Sequence, residues 1–354
     1  MTQQINTMGW DIGGAHLKAA VLDNNGKIIA VYQQPCQLWK GLDQLTQAAL
    51  HILKQASTLP CKHAVTMTGE LVDLFADRHE GVQKITATIQ ALLPKGNCLI
   101  YAGSLGFIPA TQLQVADYDA VASANWLASA SFAAQKTPNG LFVDIGSTTT
   151  DILLLQNGHV QAQGYTDYER LISQELVYTG IVRSAVMAVA QTAIDQGQKI
   201  GVMAEYFATM ADVYRVTGEL NEHHDQTDTA DGAEKTLVAS ARRLSRMIGS
   251  DFTMSDLPRW QAFAHNIRNQ QLQKIQQACE HQLKNREVNR QNPVTLVGAG
   301  IGRFLVKDIA QQLAVPYQDF SELCPQVDAQ LELTPADCAP AVAVAYLSAY
   351  NTAL

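Results

Sequence analysis

Two short segments of the sequence each place a carboxylate beside a glycine-containing turn. Asp11 is followed by the Ile-Gly-Gly sequence of residues 12–14, and Asp144 by the Ile-Gly-Ser sequence of residues 145–147. Glycine lets a backbone approach an anion closely, and successive peptide N–H groups in a tight turn form a concave anion site. An aspartate would repel phosphate bound there unless a cation lay between them. The two segments therefore predict a phosphate site with Mg²⁺ held by Asp11 and Asp144.

Both segments repeat one larger pattern. In each, an apolar run reaches the aspartate, passes through the turn and returns as a second apolar run toward an Asn-Gly pair, at residues 25–26 and 157–158. Asn-Gly is a strong signal for a tight hairpin. The sequence therefore predicts two strand-turn-strand units. Because the pattern is repeated, a phosphate site is favoured over the alternative of two ordinary glycine turns at strand ends.

Polar groups around the turns are candidates for the remaining chemistry. Lys18 is a candidate clamp on phosphate, with a solvated lysine at a strand edge as the alternative. Asp151 is a candidate for a catalytic base or for orienting Thr148, with an exposed, capped carboxylate at a strand start as the alternative. Glu70 and His16 are further candidates for the base. The residues predicted to contact phosphate are Gly13, Gly14, Ala15, His16, Gly146, Ser147, Thr148 and Thr149.

Two more residues are candidates for binding a substrate. Glu70 follows a strand-then-turn sequence at residues 66–69, which would place its carboxylate at a sheet end where ligands collect. An exposed turn acid is the alternative. The guanidinium of Arg183 would pair with substrate carboxylates or form a surface salt bridge. For the acidic stretch 219–231, a solvated loop is favoured over a metal site. Its two histidines are adjacent, and adjacent side chains point apart on a regular element.

A third glycine-rich segment lies near the C-terminus. Residues 293–297 predict a short buried strand, residues 298–302 (Gly-Ala-Gly-Ile-Gly) the turn after it, and residues 303–313 a helix. A dinucleotide-binding motif is expected in an early strand–helix–strand unit. Residues 298–302 come late in the chain and do not belong to such an early unit, so a dinucleotide-binding motif is not indicated.

The order of the three glycine segments resembles that of the actin, sugar kinase and Hsp70 superfamily. The resemblance implies an α/β, duplicated, two-lobed actin-like ATPase (ribonuclease H-like) fold with an interlobe cleft, in which the first two turns hold phosphate and metal. It also implies that the third turn, with Gly298, Gly300 and Gly302, contacts a nucleoside or substrate. Within the superfamily, residues 143–152 are similar to the phosphate loop of hydantoinase and oxoprolinase relatives.

Further segments carry a narrower resemblance, to the proteins grouped with tetrahydromethanopterin-linked C1 transfer and methanofuran biosynthesis. The resemblance implies a transferase that joins an aminomethyl-furan diphosphate to the phenol oxygen of γ-glutamyltyramine, or of a tyrosine-derived acceptor, and releases diphosphate. Two alternatives stay open: an ATP-dependent kinase or hydantoinase/oxoprolinase-like enzyme, and an ATP-responsive binding module. Ala15 weighs against the kinase, since kinase relatives often have a hydroxyl there. The segments are residues 10–20, 67–71, 178–183, 229–232 and 246–249.

Composition limits the class of protein. At 354 residues, with 47% hydrophobic and 16% charged residues, the chain can bury a large core and is long enough for two lobes. A net charge of -8 argues against a nucleic-acid partner. The 6 cysteines include no Cys-x-x-Cys pair, so neither a zinc ribbon nor a redox pair is indicated. Residues 1–7 lack a secretory signal and no apolar stretch is long enough to span a membrane, so we expect a cytoplasmic protein, with a homodimer as the default oligomer.

Periodicity and turn signals outline the elements that would position these residues. The turn at residues 136–140 predicts a boundary between a first lobe, residues 1–137, and a second lobe, residues 138–338, that carries a helical insertion. Residues 339–354 predict a terminal helix that packs back on the lobes. Strands are predicted at 64–68 and 98–102, and helices at 41–57, 118–135, 172–196 and 233–286, with a surface helix at 261–292.

Overall fold

A computed structural model of the chain describes residues 7–56, 62–94, 96–284 and 294–350. The strands in these ranges are β1 (Thr7–Ile12), β2 (His16–Leu22), β3 (Ile28–Pro35), β4 (Lys62–Met67), β5 (Cys98–Tyr101), β6 (Phe107–Pro109), β7 (Gly140–Ile145), β8 (Thr150–Gln156), β9 (His159–Val160), β10 (Leu176–Val177), β11 (Thr192–Asp195), β12 (Gln198–Gly201), β13 (Thr295–Ala299) and β14 (Tyr317–Asp319). The α-helices are α1 (Leu42–Gln55), α2 (Arg78–Leu92), α3 (Tyr118–Val121), α4 (Asn125–Lys136), α5 (Asp167–Ser173), α6 (Val186–Val189), α7 (Met210–Thr217), α8 (Leu237–Arg246), α9 (Leu257–Lys284), α10 (Arg303–Gln312) and α11 (Ala339–Tyr350). The ends of several predicted elements, at residues 1–6, 57, 285–293 and 351–354, lie outside the described residues.

The chain divides into two compact units. Unit 1 contains residues 1–140, 155–161 and 318–354, and unit 2 contains residues 141–154 and 162–317. Residues 318–338, which the sequence places with the second lobe, group with unit 1. Contacts with unit 1 include the rings of Phe320 and Phe132, which lie 5.6 Å apart, and the hydrogen bond that Thr137 Oγ1 donates to Gln318 Oε1 at 2.8 Å.

The sheet of unit 1 has the strand order β3-β2-β1-β4-β5-β6. β1 pairs antiparallel with β2 and parallel with β4, and the register places Asp11 opposite both Lys18 on β2 and Thr66 on β4. Residues directly opposite each other share a face of the sheet. Asp11, Lys18 and Thr66 therefore form a polar row across three neighbouring strands.

Helix α11 lies directly on strand β1. Gly9 leaves no room for a side chain, since a Cβ there would clash with Ala341 O and lie 2.8 Å from Ala345 N. Small residues allow this close approach of backbones, and residues 339–348 of the helix are all buried. The structure confirms the predicted closely packed terminal helix over Ala339–Tyr350.

The sheet of unit 2 has the strand order β10-β8-β7-β13-β14. Its central strand β7 carries Asp144, as β1 carries Asp11 in unit 1. The predicted surface helix, α9, buries one face in the core through Trp260, Phe263 and Ile267. The repeated hairpins in two α/β units confirm the predicted duplicated, two-lobed α/β fold.

The predicted helix at residues 172–196 is wrong. Helix α5 ends at Ser173, Gln174 has a left-handed φ of 59°, and the chain continues as strand β10, a turn at Thr179 and Gly180, the short helix α6 and strand β11. Ile181 in this stretch is buried in the core of unit 2, so its apolar residues reflect loop packing and not a helical face.

Two other predicted helices are each interrupted. The segment 118–135 forms α3 and α4, because Ser123 between them has a left-handed φ of 51°. The segment 233–286 contains α8 and α9, and Gly249 between them has a φ of 65°. A residue in the left-handed region cannot continue a right-handed helix.

The described cysteines behave as packed thiols. They are free and buried, and Cys61 lies outside the described residues. Within the described ranges, no helix combines the length and the apolarity needed to cross a membrane.

A buried histidine makes the stability of unit 1 sensitive to acid. His63 has no exposed surface, and its Nδ1 accepts a hydrogen bond from Trp10 Nε1 at 3.1 Å. Burial lowers the pKa of His63 from 6.5 to about 4. Below pH 6.5 the unfolded chain therefore binds a proton that the folded chain refuses until about pH 4, so this residue makes the free energy of unfolding fall by up to about 3 kcal/mol over that window.

We therefore expect the melting temperature of the wild type to fall more steeply between pH 6.5 and pH 4 than that of His63→Gln. Glutamine keeps an acceptor for Trp10 but binds no proton. Calorimetric melting at several pH values measures the difference. His51→Gln, which removes an exposed histidine, is the control and should retain the wild-type slope. Equal slopes of melting temperature against pH for His63→Gln and the wild type would contradict the attribution of the acid sensitivity to His63.

Candidate functional site

The two glycine turns close with the same hydrogen bond. Gly13 N donates to His16 O at 3.0 Å in unit 1, and Gly146 N donates to Thr149 O at 2.9 Å in unit 2. The sequence repeat therefore reflects two turns of one geometry, each placed directly after an aspartate on a central strand.

The repeat extends to the turns after the neighbouring strands. In unit 1, Thr68 N and Gly69 N both donate to Ile12 O at 3.0 Å. In unit 2, Gly302 N donates to Ile145 O at 2.9 Å. The turn after β4 is therefore the counterpart of the glycine-rich turn after β13. Sequence reasoning missed this relation because the two turns have different residues.

In unit 1, Asp11 and Lys18 lie beside the beginnings of two helices. Asp11 is 6% exposed, and its Oδ1 accepts from the Nδ2 atom of Asn125, the first residue of α4, at 3.3 Å. Lys18 Nζ donates to the backbone oxygen of Asp337 at 2.9 Å, in the short helical turn that leads into α11. The N-terminus of a helix carries partial positive charge. Since β2 lies between β1 and β3, Lys18 is not a lysine at the edge of the sheet.

Glu70 is buried and hydrogen-bonds to the loop that precedes Asn125 and helix α4. Glu70 is only 1% exposed, and its Oε1 accepts a hydrogen bond from Ser123 Oγ at 2.7 Å. Ser123 adopts its left-handed conformation in the loop just before α4. The alternative of an exposed turn acid is therefore wrong, and the contact shows Glu70 supporting the segment that reaches Asp11. His16, in the adjacent turn, is 7% exposed.

In unit 2, the third glycine segment lies against Asp144. Gly300 has a φ of 77°, and a Cβ there would clash with Asp144 Oδ1 and lie 2.6 Å from the carbonyl carbon of Ile145. A Cβ at Gly302 would lie 2.5 Å from Ile145 Cγ2. The second and third predicted segments are therefore in direct contact.

Gly298 has a different place from the other two glycines of the segment. The strand β13 extends to Ala299, two residues beyond the predicted strand, so Gly298 lies within it. A Cβ there would lie 2.7 Å from the ring atom Cε2 of Tyr317. Gly298 makes room for that ring.

The glycine turn of unit 2 rests on residues 179–183, among which sequence reasoning assigned a role to Arg183 alone. A Cβ at Gly180 would clash with Thr148 N and lie 2.5 Å from Ser147 C. Ile181 N donates to Gly146 O at 3.0 Å, and Arg183 N donates to Ser147 O at 2.8 Å. The sequence did contain a signal for this contact, because Thr179 and Gly180 lie in residues 178–183, one of the segments that carry the family resemblance.

Gln271 in turn holds this segment from the middle of α9. It has no exposed surface, and its Nε2 donates to Thr179 Oγ1 at 2.7 Å and to Gly180 O at 2.9 Å. Its Oε1 accepts from the Tyr214 hydroxyl at 2.5 Å. No sequence signal distinguishes Gln271, because the helix around it is rich in glutamine.

Asp151 occupies on β8 the position that Lys18 occupies on β2, at the same separation from the preceding aspartate. Its Oδ1 accepts from Nη2 of the buried Arg170 at 2.7 Å, and its side chain is 17% exposed. Burial raises the pKa of Asp151, and the positive charge of Arg170 opposes that shift. The alternative of an exposed, capped carboxylate is therefore wrong.

Arg183 is exposed beside the glycine turn of unit 2. Its Nη1 donates to Thr148 Oγ1 at 3.4 Å, a long contact. The side-chain oxygens of Ser147 and Thr148 are also 3.4 Å apart. Burial raises the pKa of Tyr206 and the charge of Arg183 lowers it, so a phenol and a guanidinium interact near this turn.

The acidic stretch at residues 219–231 is exposed at several positions, as predicted for a solvated loop, and it also forms ion pairs with neighbouring arginines. Arg215 binds Glu222 at 2.8 Å and Asp225 at 2.6 Å, and the side chain of Asp225 is 3% exposed. Across the described residues, no group of three or more His, Cys, Asp or Glu side chains is arranged to hold a metal ion. Asp11 and Asp144 each offer one carboxylate, the oxygen ligand that Mg²⁺ prefers.

Comparisons of the sequence with known proteins match one family model and two named synthases. The hydantoinase/oxoprolinase family model matches residues 62–327. The (4-{4-[2-(γ-L-glutamylamino)ethyl]phenoxymethyl}furan-2-yl)methanamine synthase of Methanocaldococcus jannaschii is 30% identical over 308 residues, which are 86% of this chain and 88% of that protein. A synthase of the same name from Methanococcus vannielii is 34% identical over 113 residues, 32% of this chain and 50% of that protein.

One solved structure supports the fold alone. The nucleotide-free acetone carboxylase matches with a TM-score of 0.56 and 11% sequence identity, covering 96% of this chain and 69% of that chain.

Proposed function

The chain belongs to the hydantoinase/oxoprolinase family, and from that premise we propose that it is a transferase of methanofuran biosynthesis. The donor is an aminomethyl-furan-methanol diphosphate, and the acceptor is γ-glutamyltyramine or a tyrosine-derived phenol. The bond between the furfuryl carbon and the diphosphate oxygen breaks, and a bond between that carbon and the phenol oxygen forms. Diphosphate leaves, and the phenol proton passes to a base.

The observation that carries this proposal is the identity of 30% to a synthase named for such an aryl furanylmethyl ether, over 88% of that protein. The arrangement in unit 1 supports it, because Lys18 and the beginnings of α4 and α11 lie together at the Asp11 turn. Helix N-termini and cations both favour a bound anion. A diphosphate is an anion of the size that such turns accommodate.

The barrier of this reaction lies largely in the charge that develops on the departing diphosphate. Oriented N–H groups and cations that neutralise developing charge lower such barriers. Lys18 and the turns at residues 13–16 and 146–149 would serve this role. Asp11 and Asp144 are the residues that would hold Mg²⁺, which when bound supplies Lewis-acid neutralisation of the leaving group.

The acceptor would be bound by residues of unit 2. Asp151 has a pKa raised by burial, and a raised pKa suits a carboxylate that accepts the phenol proton. Arg183 is exposed beside Thr148, so its guanidinium would pair with the carboxylates of a glutamyl acceptor. Both roles follow from the chemistry of these side chains and their places at the phosphate turn.

The direct test is a mass-spectrometric assay of the purified full-length protein. The protein is incubated with Mg²⁺, the aminomethyl-furan diphosphate and γ-glutamyltyramine or tyramine, and in parallel with ATP alone. We expect an ether-linked product and an equal amount of released diphosphate, without ATP hydrolysis. ATP consumption without the ether would contradict the transferase and support the kinase-like alternative. If neither ether formation nor ATP consumption is detected with either acceptor, the result contradicts both the transferase and the kinase-like enzyme.

A further inference from the structure

A buried hydroxyl group lies next to Asp11 in unit 1. Thr66 on β4 is directly opposite Asp11 on β1, so the two side chains share a face of the sheet. Thr66 has no exposed surface, and its Oγ1 has no hydrogen-bond partner among the described residues. A buried hydroxyl without a partner costs free energy, so its presence calls for a reason.

The fold itself does not require this hydroxyl. The corresponding part of unit 2 is the end of β13 and its turn, residues 298–302, whose side chains contain no oxygen. That turn nevertheless makes the equivalent hydrogen bond, from Gly302 N to Ile145 O at 2.9 Å. The duplicated architecture therefore forms without a hydroxyl at this place.

The surroundings of Thr66 match a hydrated cation bound with phosphate. The row across the sheet presents an ammonium from Lys18, a carboxylate from Asp11 and a hydroxyl from Thr66. Asn125 Nδ2, at the start of α4, donates to Asp11 Oδ1 at 3.3 Å. Magnesium usually keeps several bound waters, and groups that hydrogen-bond such waters tune its affinity.

We propose that Thr66 is a further binding residue of unit 1, whose hydroxyl accepts a hydrogen bond from water on the divalent cation held by Asp11. This role rests on the proposed function, because the cation belongs to the diphosphate chemistry described above. It gives the orphaned oxygen a partner when the cation is bound. It also explains why a hydroxyl is present in unit 1 and not in the matching segment of unit 2.

The test is a titration of the full-length protein with Mn²⁺ in the presence of diphosphate, followed by electron paramagnetic resonance. Thr66→Val removes the hydroxyl and keeps the shape, whereas Thr66→Ser keeps the hydroxyl. Thr86→Val is the matched control, because Thr86 on α2 also has a buried hydroxyl without a partner among the described residues. We expect Thr66→Val to bind Mn²⁺ about tenfold more weakly, Thr66→Ser and Thr86→Val to bind as the wild type does, and melting temperatures to stay level.

The other outcomes separate this inference from the proposed function. Unchanged affinity in Thr66→Val, with affinity lost in Asp11→Asn, would overturn the role of Thr66 and leave the cation site intact. Equal losses in Thr66→Val and either Thr66→Ser or Thr86→Val would also overturn it, because the hydroxyl would not be the cause. A wild type that binds no Mn²⁺ would overturn the cation site and this inference together. Should Thr66→Val fail to fold, Thr66→Ala provides the same comparison.

Discussion

Asp144→Asn is expected to lower the rate of ether formation by about 100-fold or more, since losing one source of stabilisation for the charge that develops in a transition state typically has an effect of that size. Asparagine has nearly the same shape, so it fits the narrow space that Gly300 leaves beside the side chain. The substitution removes the negative charge that would hold Mg²⁺ beside the glycine turn of unit 2. Steady-state kinetics measure the rate, and titration calorimetry measures diphosphate affinity in the presence of Mg²⁺.

The control for this variant is Asp251→Asn, which removes an exposed carboxylate of the same unit. It should leave both the rate and the affinity at wild-type values. Melting temperatures of both variants report whether unit 2 is intact. An Asp144→Asn enzyme with wild-type diphosphate affinity and rate would show that this carboxylate does not hold the cation.

Arg243→Leu is expected to destabilise unit 2 by about 3–5 kcal/mol, the usual cost of breaking a buried ion pair from one side. The side chain of Arg243 has no exposed surface, and its Nε donates to Asp212 Oδ1 at 2.8 Å. Its Nη1 donates to Asp231 Oδ1 at 3.1 Å. Without Arg243, the carboxylate of Asp212 stays buried with less compensating charge. Calorimetric melting measures the loss.

Arg246→Leu provides a matched comparison because Arg246 also binds Asp231, at 3.2 Å. Its side chain is 46% exposed, so we expect Arg246→Leu to change the free energy of unfolding by less than about 1 kcal/mol. The two variants therefore differ in burial and share an acidic partner. Similar, small changes in both would contradict the importance of the buried network.

The parts of the site that sequence could predict are those encoded within one short segment. Asp11 and Asp144 were recognisable because an aspartate, a glycine turn and a returning apolar strand follow one another along the chain. The structure places both aspartates on central strands with equivalent turns. Their roles in binding metal and phosphate stay predictions.

The parts that sequence could not predict depend on contacts between distant residues. Asn125 reaches Asp11, and Gln271 reaches Thr179, only after the chain has folded. Neither residue has an unusual neighbourhood in the sequence. The false helix at residues 172–196 has a related cause, since apolar residues in buried loops produce the same composition as one face of a helix.

The contact between Gly9 and helix α11 also has a consequence for the order of protein synthesis. All six residues of β1 are buried, and the helix that lies on this strand is made of residues 339–350. Residues 141–154 and 162–317, which make up unit 2, leave the ribosome before that helix exists. Strand β1 is therefore translated well before the helix that packs on it, so unit 1 completes its packing only after residues 339–350 have been made. While unit 2 is being translated, the face of β1 that α11 covers in the folded protein therefore lacks that cover, and exposed apolar surface of this kind favours aggregation.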